Sequence, residues 1–192
     1  MSVHDRTLVL ANSGTTATVL ETCKLGTAIP DPTITNRLDG LYSGTTYGLL
    51  TGIAEAEGSY AQFYGETLMG AYGKWPHGNA GTQHTAPDSF VGLMQVPNSM
   101  ASGFDWYTNT TTGENTFSDK LSSARTYVAN EQSEYPNLPA LTQAQLENVA
   151  LVYYNGIQGV EYYVPNSGGS GWVTTTNQTA LTYVSNVRNG IQ

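Results

Sequence analysis

Ile53-Ala-Glu-Ala-Glu57-Gly-Ser59 is the stretch on which the reading of this chain turns. Tyr47, Leu50, Ile53, Ala54 and Glu57 recur at the spacing of one helical face, and Gly58 marks the helix end. Glu57 therefore shares the inward stripe of Leu50 and Ile53, while Glu55 lies roughly opposite and is expected in solvent. An inward glutamate at a helix C-terminus loses its water and feels the negative end of the helix macrodipole. Both effects favour the protonated carboxyl, the form a general acid needs near neutral pH.

Two further blocks follow in order, Gly92-Leu-Met-Gln-Val96 and Ala150-Leu-Val-Tyr-Tyr154-Asn155-Gly156. The second closes a well-marked helix. Thr142 and Gln145 have the spacing of a capping box, Leu141 and Leu146 flank it as a hydrophobic staple, and Gly156 ends it. Its buried face is expected to be Leu146, Val149, Ala150 and Tyr153, which leaves Tyr154 freer to face a cleft. Phe117, Leu121, Ala124 and Val128 form another helical stripe, and a last helix runs from about Thr179 through Leu181, Val184 and Val187 to Gly190.

Lys74 to Ser89 reads as a loop, punctuated by Pro76, Gly78, Gly81 and Pro87. It carries His77, His84 and Asp88, whose spacing matches no metal-ligand motif, and no metal site is expected. Residues 1–45 show few helical patterns, and Ile29-Pro-Asp-Pro32 reads as a turn or extended linker. Thr7-Leu-Val-Leu-Ala11 suits a short strand or a helical turn. Residues 1–45 are accordingly expected to be an N-terminal extension packed on a domain of residues 46–192. Asn109-Thr-Thr111 and Asn177-Gln-Thr179 are glycosylation sequons, which decide nothing in a chain this rich in Asn and Thr.

Composition narrows the class. The 192 residues are 39% hydrophobic and only 11% charged, so hydroxyls and amides must wet the surface. That balance points to an extracellular, secreted protein. The formal net charge is −8, and the lysines are only Lys24, Lys74 and Lys120, which makes nucleic acid a poor partner. The single cysteine, Cys23, excludes an intrachain disulfide and reads as a small thiol in or near the core. No apolar run is long enough to span a membrane. Met1-Ser-Val-His-Asp-Arg6 lacks the apolar centre of a signal peptide, so either a leader has been removed or export takes another route.

At the three blocks the chain resembles the goose-type lysozyme and soluble lytic transglycosylase superfamily, glycoside hydrolase family 23. The pattern of that family is a helix ending in Glu-Ser-Gly or Glu-Ser-His, then Gly-Leu-Met-Gln, then Ala-Tyr-Asn-Ala-Gly. Here they stand as Glu57-Gly58-Ser59, Gly92-Leu93-Met94-Gln95-Val96 and Tyr153-Tyr154-Asn155-Gly156. The likeness runs over about residues 47 to 190, with Tyr183 similar to a cleft tyrosine of the family's last helix. Gly58 and Ser59 are permuted relative to the usual order. Pro97-Asn-Ser-Met-Ala101 stands closer to the Pro-x-Thr-Ala run of transglycosylases than to the Asp of goose-type enzymes.

The resemblance implies a predominantly helical α+β, lysozyme-like fold with a small sheet or loop-rich lobe beside the cleft. It also implies a monomeric enzyme that cuts β-1,4 links in N-acetylglucosamine-containing polymers, peptidoglycan or chitin, with no cofactor. Glu57 would be the general acid. A hydrolase of the inverting kind needs a second carboxylate about 6.5–9.5 Å away; Asp88 is the first candidate and Asp105 the second. A transglycosylase needs none, because the muramic 6-hydroxyl attacks instead. Ser59, Tyr60, Gly92, Met94, Gln95, Tyr154, Asn155 and Tyr183 are the candidate substrate-binding residues. Trp75, Trp106 and Trp172 either stack on sugar faces or fill gaps, and Gln95 either meets an acetamido group or satisfies buried backbone. The alternative of another class is a non-catalytic glycan-binding or virion structural module.

Overall fold

The structure, a computed structural model, describes residues 5–7, 22–24, 31–42, 48–58, 60, 62, 90–97 and 99–190. Within them the chain is predominantly helical α+β, with six helices and three two-stranded antiparallel hairpins. Strands β1 (Asp5–Thr7) and β2 (Thr22–Lys24) pair first. Helices α1 (Asp31–Leu41) and α2 (Leu49–Gly58) follow. Strands β3 (Phe90–Val91) and β4 (Val96–Pro97) flank the Gly92–Gln95 turn, and a short helix, α3 (Met100–Phe104), comes next. The long α4 (Trp106–Glu134), α5 (Gln143–Asn155), a hairpin of β5 (Tyr163–Pro165) and β6 (Trp172–Thr174), and α6 (Gln178–Asn189) complete the order. None of the described helices is long and apolar enough to cross a membrane.

Helix α1 corrects the expectation of a turn or extended linker at Asp31 and Pro32, whereas Ile29 and Pro30 lie outside the described residues. Pro32 falls in the first helical turn, where a missing N–H costs nothing, so the proline begins a helix instead of preventing one. Ile34 and Leu38, four residues apart, are buried in the common core. Arg37 reaches from α1 to α4, donating to Thr110 Oγ1 and Thr111 Oγ1 at 2.7 Å each.

The core runs through α2, α4, α5 and α6, and Phe117, Leu121, Ala124 and Val128 are buried as their spacing requires. Ahead of that stripe, α4 continues for three turns through a Thr-rich stretch. Thr111, Thr112 and Thr116 donate their hydroxyls to the carbonyls four residues back, which keeps these side chains satisfied within the helix. The α5 cap forms as read. Thr142 Oγ1 accepts from Gln145 N, Gln145 Oε1 accepts from Thr142 N, and Gly156 closes the helix at φ 77°. Tyr153 departs from the expected stripe: it is half-buried, and its hydroxyl donates to Glu161.

Two devices fix α6 against the rest. Glu147 of α5 is fully buried, and its carboxylate accepts from Tyr42 at 3.1 Å and pairs with Arg188 of α6 at 3.3 Å. Gly52 of α2 lies against the α6 backbone so closely that a Cβ there would stand 2.2 Å from the Val187 carbonyl oxygen. Gly52→Ala should therefore force the two helices apart and cost about 1–3 kcal/mol, as overpacking does. Urea unfolding checks this, and an unchanged midpoint would contradict the close approach.

Candidate functional site

Glu57 occupies the penultimate position of α2, below a stripe in which Leu50, Ile53 and Ala54 are buried, whereas Glu55 is exposed as its position on the helix requires. The Tyr183 hydroxyl, from α6, donates to Glu57 Oε1 at 2.6 Å. The Asn155 side chain, at the end of α5, lies near enough to the carboxyl to favour its ionised form. Burial raises the Glu57 pKa above its ordinary value, and the Tyr183 bond and the nearby Asn155 amide pull it only part of the way back. The environment thus favours the protonated acid while holding it in one orientation. Tyr183→Phe removes the bond that favours the ionised carboxyl most, so Glu57 should titrate at still higher pH in that variant. A carboxyl NMR titration reads this directly, and a downward movement would contradict it.

The Gly92-Leu-Met-Gln block is the tight turn of the β3–β4 hairpin. Gly92 at φ 78° is required twice over: for that backbone conformation, and because a Cβ would fall 2.1 Å from Asn109 Nδ2. Gln95 takes φ 43°, unusual for a residue with a side chain. Its Nε2 donates to the Gly92 carbonyl at 2.7 Å, and the residue is nearly buried, so this amide group serves the turn's own backbone. Met94 presents its carbonyl to the Tyr154 hydroxyl at 2.6 Å.

Tyr154 joins the blocks. Its phenol is pushed well above its ordinary pKa by burial and by the nearby Glu57 charge; Tyr183 is pushed the same way by burial, Glu57 and Tyr154. Both tyrosines therefore act as O–H donors. Glu57, Tyr154, Asn155, Tyr183 and the Met94 turn, which lie far apart in sequence, converge on one place.

The supports of the turn escaped the sequence reading. Asn109 of α4 is fully buried: its Oδ1 accepts from Met94 N at 2.9 Å, and its Nδ2 donates to the Val91 and Ser102 carbonyls. An Asn with its amide so engaged is no glycosylation acceptor in the folded chain. Gln62 accepts from Leu93 N and donates to the Ser102 and Gly103 carbonyls. Gly113 leaves room for the Met94 side chain, which a Cβ would meet at 2.7 Å.

Of the other candidates, Asp105 caps helix α4. Its two oxygens accept from Tyr107 N and Thr108 Oγ1 at the start of α4. Tyr60 follows α2 at φ 59° and packs against the core. Trp172 pins the β5–β6 hairpin by donating to the Pro139 carbonyl at 2.7 Å, and Trp106 begins α4 packed on the core. Ser59, Trp75, His77, His84 and Asp88 lie outside the described residues. Among the described residues no group of three His, Cys, Asp or Glu gathers to hold a metal ion.

No protein-family model, no curated protein and no solved structure matches this chain.

Proposed function

We propose that the protein cleaves β-1,4 glycosidic links in polysaccharide containing N-acetylglucosamine, with Glu57 as the general acid. The observation that carries this reading is the Glu57 carboxyl itself: desolvated at the end of α2, raised in pKa, and gripped at Oε1 by Tyr183. With Oε1 engaged, the acid proton is carried on Oε2 and passes to the bridging oxygen as the C–O bond breaks. The leaving sugar departs as an alcohol, and the positive charge that develops is shared between the anomeric carbon and the ring oxygen. Asn155 and Tyr183 then stabilise the carboxylate that remains. Tyr154, held to the Met94 carbonyl, fixes the turn beside this centre.

The second half of the reaction has two versions. In the hydrolytic one a water attacks, with Asp88 the first candidate base and Asp105, whose oxygens also cap α4, the second. In the transglycosylase version the muramic 6-hydroxyl attacks, and Glu57 takes its proton. Incubation with chitin oligomers and with peptidoglycan, followed by mass spectrometry, tests the proposal. Cleavage to reducing ends supports hydrolysis, anhydro ends support transglycosylation, and no cleavage of either polymer overturns the reading. Asp88→Asn should cut turnover by about 100-fold or more if a water is the nucleophile. Full activity in that variant would remove Asp88 from the mechanism.

A further inference from the structure

An open groove of about 360 Å³ runs beside Glu57's partners, between the end of α5 and the outer face of α6. That volume lies at the small end of ligand sites and suits a sugar ring with its substituents. Asn155 and Tyr183, which hold the Glu57 carboxyl, form part of its lining, and Gln178, Thr179, Thr182 and Asn186 form the rest. These last four side chains are exposed, and Gln178, Thr182 and Asn186 repeat at the four-residue spacing that puts them in one row along the helix. Gln178 Nε2 donates to Thr182 Oγ1 at 3.2 Å, so the row is partly ordered before anything binds.

The chemistry of the row is specific in one respect. Amides and hydroxyls offer both donors and acceptors, which sugar hydroxyls and an acetamido group both require. None of the lining residues is cationic. The α6 cation, Arg188, is turned to Glu147, Asn148 and the Ala144 carbonyl. A sugar bearing a carboxylate would find no cationic partner among these side chains, and the net charge of −8 would oppose its approach.

We propose that this groove is a subsite for a neutral, N-acetylated sugar unit of the chain being cut, one without a carboxylate. The proposal rests on the glycosidase reading and adds to it which sugar the α6 face accepts. Calorimetric titration of the Glu57→Gln protein with the β-1,4 hexamer of N-acetylglucosamine tests it without turnover. Adding Gln178→Ala and Asn186→Ala should weaken binding by about tenfold, the scale of losing two hydrogen-bonding side chains. Thr182→Trp, which fills the groove, should do the same. All three positions are exposed, so thermal unfolding of these variants should match the parent.

Hexamer binding that is unchanged by both sets of substitutions, or absent from the Glu57→Gln protein, overturns the subsite. Equal or tighter binding of a carboxymethylated chitin oligomer overturns it as well. Turnover of the same hexamer by the unsubstituted protein is scored separately. Groove-dependent binding without turnover of any polymer would sink the glycosidase reading and leave the subsite, whereas turnover with groove-independent binding would do the reverse.

Discussion

Glu57→Gln should abolish turnover of cell-wall or chitin substrates, by at least ~100-fold, and should at the same time stabilise the fold at neutral pH. The two effects have one cause. Burial holds the carboxyl's pKa above its ordinary 4.5, so the folded protein binds a proton there more tightly than the unfolded chain does. The stabilisation from that proton is fully present below the unfolded-state pKa. It is lost as the pH rises through the folded-state pKa, and above it an ionised, desolvated carboxylate remains. Glutamine keeps the shape and can still accept from Tyr183, but it carries neither the charge nor the acid proton. The variant's advantage in thermal unfolding should therefore appear at neutral pH and fade toward pH 4. Equal turnover in the two proteins, or none in either, would favour a non-catalytic glycan-binding module.

Asn109→Ala should produce the largest loss of stability among substitutions near the site. It strips the partner from Met94 N and a donor from each of the Val91 and Ser102 carbonyls, the latter still held by Gln62, all at a fully buried side chain. Unsatisfied buried groups cost about 1–3 kcal/mol each, and water refilling the gap offsets part of the loss, so about 3–5 kcal/mol is expected. For a chain of this size that lowers the unfolding temperature by on the order of 10 °C. Because the same amide holds the Met94 turn, the Tyr154–Met94 bond should loosen with it. A change within about 0.5 kcal/mol, as for an ordinary surface residue, would mean that Asn109 does not carry the turn.

Legibility in the sequence followed apolar periodicity. The α4 stripe, the capped α5, the last helix and the inward placement of Glu57 all rest on apolar residues at helical spacing, and all of them stand in the structure. Where the buried face is polar, the pattern gave nothing to read. The first half of α4, Trp106 to Thr116, buries Asn109, Thr110 and Gly113 because it packs on the backbone of a turn and on Met94, and those neighbours need an amide and an absent Cβ. Glu147 was equally hidden: a glutamate in a helix is expected in solvent unless its partners, here Arg188 and Tyr42 from distant segments, are known. Helix α1 was missed for a different reason. Ile29-Pro-Asp-Pro32 suits a turn or extended linker, yet a proline in the first turn of a helix is equally compatible with its backbone.

Of the site, Glu57, Tyr154, Asn155 and Tyr183 were named from the sequence and are brought together by the fold. Asp105 stands just before α4 and serves as the natural cap of that helix, with both oxygens taken up there. Gln95 stands between the two readings of it, since its amide group meets the backbone of its own turn.

The most direct measurement is the ionisation of Glu57 set beside the pH profile of the reaction. Protein labelled with carbon-13 at the glutamate carboxyls, assigned by difference from Glu57→Gln, gives the titration of this one group. It should lie above 4.5 and coincide with the alkaline limb of kcat/KM, which reports the essential acid of the free enzyme. A Glu57 carboxyl that ionises at or below 4.5, or an alkaline limb at a pH unrelated to it, would contradict the assignment of this residue as the proton donor.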